Sequence, residues 1–294
     1  MSNFITTAFV NEFRDNVMHL SQQSISRLRG AVRVEQFTGE KAFFEQLGPV
    51  TMQKKTARHA DTPLIETPHA RRMVLAEEYE WAELIGRGDR ARTLVEFTNP
   101  YLQGAAKAAG RTMDQIIIDA ATSVAKTGQN GTTNTSFDNN MDVATTVGPN
   151  SGLNVEKLQR AKRNLDQREV DPSIPRYICA NARQMDNLLN DEEVRSFDYN
   201  TVKALVNGEI DTFMGFTFIQ SELINAVSSD DKVLYWAQDG LLLGINYDVV
   251  ASVDVRPDKS YDTQAYLAFM AGATRMEEAK VGTLTCAQTP TDNT

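Results

Sequence analysis

Across 294 residues the chain carries two cysteines and three histidines, a scarcity that removes several kinds of chemistry at once. Cys179 and Cys286 form no CxxC and have no neighbouring partner, so neither a disulfide framework nor a thiolate metal site is expected. Both read as small buried apolar residues. His19, His59 and His69 fall outside the stretch that reads as a packed lobe, so a triad or metal centre would need distant elements to converge, and each reads as a surface histidine. No apolar run reaches the roughly 18 residues of a membrane-spanning helix, and the first cation after MSNFITTAFVNEF is Arg14. The expectation is a protein kept in a cytoplasm, without a membrane.

Motifs are as scarce. There is no GxxxxGK[ST], no GxSxG and no HExxH. Gly86-Arg87-Gly88-Asp89-Arg90-Ala91 is a lone GxGxxA without a βαβ unit, which reads as a turn. Asp138, Asn140 and Asp142 mimic the first ligands of a calcium loop, but Val143 replaces its glycine and Pro149 stands where its glutamate belongs. Asp191, Glu192 and Glu193 sit at a helix end with no fixed partner. Basic charge is also short: 30 Lys and Arg against 39 Asp and Glu give a net charge of −9, which excludes a counterion-releasing grip on nucleic acid by the whole surface. No catalytic, cofactor-binding or metal-binding residue is assigned, and no enzyme is expected.

What is present is ordinary globular material, 41% apolar and 23% charged, enough for one large domain or two small ones. Its axis is Asn99 to Gly128. Asn99 is an N-cap type, Pro100 suits the first helical position, and Gly128 suits a left-handed helix end. Between them Leu102, Ala105, Ala106, Ala109, Met113, Ile116, Ile117, Ala120, Ala121 and Val124 recur at threes and fours, predicting a helix of about 40 Å with one apolar stripe. Gly104 and Gly110, each costing about 1 kcal/mol against alanine, suggest close approach by another backbone.

Ahead of this rod, Thr7 to Arg29 reads as an amphipathic helix on Phe9, Phe13, Val17, Leu20 and Leu28. Val32, Val34 and Phe37 are β-prone, and Gly39 to Leu47 is expected to form one buried helical turn on Phe43, Phe44 and Leu47. From Val50 to Leu84 the pattern predicts a long polar β-hairpin with its tip at Asp61 to Pro68. In the second strand Met73, Leu75, Tyr79 and Trp81 alternate with Val74, Glu78, Glu80 and Ala82. The first strand is basic (Lys54, Lys55, Arg58) and the second acidic (Glu77, Glu78, Glu80, Glu83), so cross-strand pairs are expected, each worth under about 1 kcal/mol when exposed. The duller reading of that segregation is a solvated surface. A two-stranded ribbon is marginal in water, so this one is expected to lean on a neighbouring subunit. The candidate inter-subunit contacts are Lys54, Lys55, Arg58, Leu64, Ile65, Arg71, Arg72, Glu77, Glu78, Glu80, Phe9 and Phe13.

After the rod, Gln129 to Gly152 reads as a surface loop rich in Gly, Asn, Thr and Asp. The grammar then becomes α/β-like. Asn154 caps a helix bearing Val155, Leu158, Ala161 and Leu165; a turn at Asp171 to Pro175 leads into a strand from Arg176 to Ala180; Asn181 caps the next helix, with Met185, Leu188 and Leu189 inward. A short helix ends at Asn207-Gly208, Gly215 introduces a strand to Gln220, and further strands are expected at Val233 to Trp236, Leu241 to Ile245 and Val249 to Arg256. The β-like stretch Ala265 to Ala287 carries the chain back before a polar tail from Gln288.

This order of elements, with Tyr101-Leu102-Gln103-Gly104 opening the long helix, the Arg176 to Ala180 strand, and Asn207-Gly208 ahead of Gly215-Phe216-Thr217-Phe218, resembles the tailed-bacteriophage major capsid proteins, in the fold named after coliphage Hong Kong 97. The likeness covers nearly the whole chain. It implies an α+β fold: an N-terminal arm at 1–36, the first part of a peripheral domain at 37–49, an extended-loop hairpin at 50–95, the spine helix and following loop of the peripheral domain at 96–152, an axial domain at 153–256, and return strands of the peripheral domain with a tail at 257–294. It further implies a virion shell protein that self-assembles as hexamers and pentamers in the host bacterial cytoplasm. Such an icosahedral shell encloses double-stranded DNA without sequence-specific binding, and its further partners are portal and decoration proteins. Because the chain begins directly with the arm, the resemblance implies a separate scaffolding protein. The founding member's Lys to Asn cross-link is not expected, since its reacting positions and catalytic acid find no match here.

Two other readings stand beside it. An encapsulin nanocompartment shares the fold and holds enzymes, and is told apart by particle contents. A soluble α/β enzyme would place its site in the 171–256 lobe and needs convergent polar groups in a concave pocket.

Overall fold

The computed structural model describes residues 22–59, 61–62, 64–86, 98–190, 212–224, 226–227 and 230–289. They fall into two compact units. The smaller comprises Met1–Ser26, Glu77–Met113 and Tyr247–Ala271, the larger Arg27–Ala76, Asp114–Asn246 and Gly272–Thr294. In chain order the elements are β1 (Arg33–Gln36), β2 (Lys41–Leu47), β3 (His69–Leu75), β4 (Glu77–Ile85), α1 (Thr98–Thr122), β5 (Ala125–Thr127), β6 (Thr133–Thr135), β7 (Asp142–Val143), α2 (Val155–Gln167), β8 (Arg176–Ala180), α3 (Ala182–Asn190), β9 (Thr212–Phe213), β10 (Phe216–Gln220), β11 (Ala226–Val227), β12 (Asp230–Ala237), β13 (Leu241–Arg256), β14 (Asp262–Arg275) and β15 (Val281–Ala287).

The larger unit is built on the mixed sheet β7-β15-β12-β8-β10-β9. Its grammar is the one expected for the lobe. Asn154 caps α2, its side chain accepting from Lys157 N at 2.9 Å, while its own amide donates to Val147 O and Asn150 O and so ties down the incoming loop. Val155, Leu158, Ala161 and Leu165 point from α2 into the core. Asn181 caps α3 in the same way, accepting from Gln184 N at 2.9 Å. Strand β8 is flanked by β10 in parallel and β12 in antiparallel, which is why Ile178, Cys179 and Ala180 read as a continuous apolar run instead of an alternation. Met214 and Gly215 both have positive φ, the backbone that a tight two-residue hairpin between β9 and β10 demands.

Several expectations for this unit are corrected. Gly39 to Leu47 is the strand β2 and not a helical turn: it pairs antiparallel with β3 from Lys41↔Leu75 to Leu47↔His69. Gln129 to Gly152 is more than a surface loop, because Met141, Val143 and Val147 enter the core and β7 pairs with β15. Strand β15 itself pairs with β12 along its whole length, so this part of the chain's end belongs to the lobe's sheet. Leu241 to Ile245 and Val249 to Arg256 are one continuous strand, β13.

The long helix is present but stops at Thr122, short of Gly128. Val124 is 48% exposed, off the stripe, and Gly128, with φ of 88°, turns the β5–β6 hairpin instead. Ala106 is exposed, whereas Ile117, Ile118 and Ala121 are almost completely buried. In the smaller unit Gly110 meets the close approach its sequence suggested: a Cβ there would lie 2.8 Å from the backbone N of Ser26. The same unit pairs β4 antiparallel with β14, from Glu77↔Ala271 to Ile85↔Thr263, and Tyr79 stacks on Phe269 with ring centroids 5.2 Å apart. The expected N-terminal helix lies outside the described residues over 1–21, and 22–28 are not helical. The helix ending at Asn207-Gly208 also lies outside them.

Candidate functional site

The feature that stands out from the packed body is the connection between β2 and β3. The hairpin they form closes at Gly48 N, which donates to Pro68 O at 2.8 Å. Between these two residues the described chain has no helix or strand. Met52 and Leu64 are each 98% exposed, with Val50 and Ile65 exposed beside them, and Lys54, Lys55 and Arg58 are exposed as well. Met52 and Leu64 bury almost nothing within the chain, and burying such a side chain elsewhere is worth about 1.5–3 kcal/mol.

The strands differ from the hairpin expected at Val50 to Leu84. The paired strands are β2 and β3, on either side of the loop, and the acidic β4 pairs elsewhere. Ala271, Met270 and Ala268 of β14 stand opposite Glu77, Glu78 and Glu80, so the expected ion pairs with Lys54, Lys55 and Arg58 have no strand register to form in. The carboxylates accept from phenols instead: Tyr247 donates to Glu78 at 2.6 Å, Tyr266 to Glu80 at 3.2 Å and Tyr79 to Glu77 at 3.1 Å. The bond to Glu78 is the main cause that pushes the Tyr247 phenol up to about 12.

Of the two arginines proposed as contacts on β3, Arg71 pairs with Glu45, directly opposite on β2, and its guanidinium lies 5.7 Å from the centre of the Phe43 ring. Arg72 is a correction. Its side chain is buried, donating through Nε to Met276 O at 2.8 Å and through Nη2 to both oxygens of Glu278. It is an internal tie and not an outward contact. Phe9 and Phe13 lie outside the described residues, as do His19, Asp191, Glu192, Glu193 and the Arg87 to Ala91 turn.

Two cations that are wholly buried, Lys157 and Arg275, were not singled out by the sequence. Lys157 is wholly buried on α2 and donates to Ser151 O, Gly152 O and Thr285 O at 2.8–3.1 Å; desolvation lowers its pKa. Arg275 is wholly buried at the end of β14. It donates to Ala121 O, in the last turn of α1, and to Ser123 O just past it, at 2.8 and 2.9 Å, and to Thr135 O at 3.3 Å. The available signal was a lone arginine ending the apolar run Ala265 to Thr274.

A cleft of about 330 Å³ is lined by Ile118, Phe137, Asp142, Lys232 and Thr283 among others. Its charged groups are spent on one another and on hydroxyls: Asp142 accepts from Thr283 and Thr285 hydroxyls at 2.5 and 2.9 Å and pairs with Lys232 at 3.3 Å. Among the described residues no cluster of His, Cys, Asp and Glu has the arrangement of a metal site, and no helix is long and apolar enough to cross a membrane. Asp138, from the failed calcium loop, caps the turn Asn139–Met141 and pairs with Arg168.

A family model described as phage capsid protein matches residues 5–288. A search of curated proteins finds no match. Among solved structures, the capsid of cyanophage P-SCSP1u is similar at 14% identity, covering 97% of this chain and 95% of that one with a TM-score of 0.72. The capsid of Ralstonia phage GP4 follows at 10% identity, 95% of each chain and a TM-score of 0.71. The head structure of Helicobacter pylori bacteriophage KHP40 is 11% identical over 95% of each chain, with a TM-score of 0.70. At such identities the likeness speaks for the fold.

Proposed function

The chain belongs to the phage capsid protein family, with the Hong Kong 97-like fold, and from that premise we propose how this major capsid protein builds its shell. The family favours this structural role over the nanocompartment and enzyme readings. Copies assemble into shell oligomers of the virion capsid; the finer reading is that these are hexamers and pentamers of a closed icosahedral wall, formed in the host bacterial cytoplasm with a separate scaffolding protein, a portal and decoration proteins. The wall encloses double-stranded DNA without gripping it, which its net charge of −9 supports, since an acidic container does not compete for phosphates. In domain terms, the extended loop expected at 50–95 narrows to the connection from Gly48 to Pro68, α1 is the spine of the peripheral domain, and the axial domain expected at 153–256 is the lobe up to Asn246, joined by β15.

The observation that carries the assembly role is the loop from Gly48 to Pro68, with Met52 and Leu64 almost fully in water and Val50 and Ile65 exposed beside them. In a closed symmetric array each small contact it makes is repeated in every copy. Removing residues 51–65 while keeping Gly48 and Pro68 to close the β2–β3 hairpin tests this. The expected result is a native circular dichroism spectrum and melting temperature together with loss of particles in electron micrographs. A shortened chain that still closes normal shells would overturn the role.

A further inference from the structure

The side of α2 turned away from the core carries a charge opposite to that of the chain. Arg160, Lys162 and Arg163 are exposed there, in a molecule whose net charge is −9. Among the described residues none of the three takes part in an ion pair or a side-chain hydrogen bond. Of the two acids on α2, Asp166 is held at 2.8 Å by the buried Arg176, which leaves Glu156 against three cations. Arg168, just past the helix, is already paired with Asp138. Beside the cations lies an open cleft of about 410 Å³ lined by Gln159, Lys162, Arg163, Asp166, Gln167 and Met214. Among the described residues Met214, in the β9–β10 turn, is its only apolar lining, and it is half-buried against the lobe's core.

The chemistry of this face selects its partner. A surface that docks a folded protein has an apolar centre with a polar rim, and this face has no such centre. A nucleic-acid backbone needs none: its phosphate oxygens take Lys and Arg cations and amide donors, which Gln159 and Gln167 supply next to the charges. From Arg160 to Arg163 the helix axis advances about 4.5 Å at 1.5 Å per residue. Phosphates on one strand of a duplex rise about 3.4 Å each, so the three cations match two or three successive phosphates.

We infer that the exposed face of α2 is where this capsid protein touches the phosphate backbone of duplex DNA. This rests on the reading that the wall encloses DNA, and names the surface that meets it. The contact is independent of sequence and weak. Three neutralised phosphates release about three counterions, so affinity falls about 40-fold between about 50 and 200 mM salt. An acidic wall thus meets its contents without holding them fast.

Fluorescence anisotropy of a short labelled duplex, titrated with unassembled chain, tests the face. The expected result is binding with that salt dependence, weakened by at least about tenfold when Arg160→Gln, Lys162→Gln and Arg163→Gln are combined. Combining Lys41→Gln, Lys126→Gln and Lys259→Gln instead takes the net charge from −9 to −12 just as the first set does, and should leave binding unchanged. Equal losses in the two variants would make the effect one of net charge and overturn the assignment. Poly-glutamate bound as tightly as the duplex at equal charge would overturn it too, and would make the partner an acidic protein segment. In particles, Lys162 should resist acetylation while DNA is inside and react once the particles are emptied, as read by mass spectrometry. Equal reaction in filled and emptied particles overturns the inference and leaves the shell role standing, whereas a parent chain that forms no particles overturns the shell role itself. Should the α2 variant not fold, the acetylation pattern, which needs no substitution, decides.

Discussion

Arg275 shows how much of this fold rests on single residues that local pattern does not flag. Its guanidinium donates to the carbonyls of Ala121, Ser123 and Thr135, stands over the Phe137 ring at 5.6 Å and pairs with Glu278 at 3.6 Å. Desolvation lowers its pKa, but an arginine stays charged at any ordinary pH. Arg275→Met keeps most of the volume and leaves those carbonyls without their donor, a loss of about 3–5 kcal/mol by analogy with broken buried ionic networks. The expected readout is a lower urea midpoint with an unchanged slope; a shift of under about 1 kcal/mol would show that water replaces the guanidinium. The alkaline limb of stability is set at this scale too. Burial raises Cys179, Cys286 and Tyr235 to about 12, so their contribution is full below the ordinary values of 9.0 and 10.0 and is lost as pH climbs toward 12. Lys157 opposes them: its lowered pKa makes the folded chain release a proton early, so its contribution rises with pH up to 10.5. Tyr247, Tyr266 and Lys280 are raised as well and act in the same direction as the thiols, so urea midpoints should fall between pH 9 and 11, and Cys179→Ala should flatten that fall. An unchanged slope would remove the thiol from the account. The cysteines were legible as buried apolar residues. Arg72, Lys157 and Arg275 were not, because each is tied to a segment far away in the chain: Arg72 to Met276 O and Glu278, Lys157 to Thr285 O, and Arg275 to Ala121 O, Ser123 O and Thr135 O.

At the scale of elements, what depends on neighbours in the chain was legible and what depends on distant pairing was not. The Asn154 and Asn181 caps, the Arg176–Ala180 strand and the turn before Phe216 are local devices, and the sequence carries them openly. The alternation from Met73 to Ala82 is real, but it spans two strands, β3 and β4, whose partners are β2 and β14. No local pattern names a partner nearly two hundred residues away. The long helix illustrates both cases. Its stripe is buried as read at Ala105, Ala109, Met113, Ile117 and Ala121, yet its end at Thr122 coincides with the carbonyls that Arg275 takes and with the pairing of Lys126 and Thr127 to β3. Ile117, 1% exposed, tests the stripe. Ile117→Asp places an unpaired carboxylate in the core at a cost of several kcal/mol, so soluble yield should collapse, whereas Ala106→Asp on the exposed side of the same helix should be tolerated. Equal yields from the two variants would mean that the stripe has been assigned to the wrong side.

For the whole molecule, assembly was legible as an excess: a long polar ribbon that is marginal on its own was expected to lean on a neighbouring subunit, and Met52 and Leu64 of its loop stand almost fully in water. Which candidate contacts remain outward follows from the pairing. Arg72 turned inward and Arg71 is shared with Glu45, leaving Lys54, Lys55 and Arg58 as the cations of the loop. Each is exposed, so a single pair they form with a neighbouring copy is worth at most about 1 kcal/mol and is screened by salt. Repetition over a shell multiplies that small term. Reversing all three to glutamate changes the chain by two charges at each site, from −9 to −15, and sets like charge against any acidic surface of the next copy. The expected outcome is a native monomer by circular dichroism whose assembly, followed by light scattering, needs a higher protein concentration than the parent chain. Raising salt should weaken assembly of the parent, which loses attraction, and strengthen assembly of the reversed chain, which loses repulsion. Two salt responses of the same sign would show that these cations do not meet carboxylates across the interface, and would leave the loop's apolar side chains as its contribution to the shell.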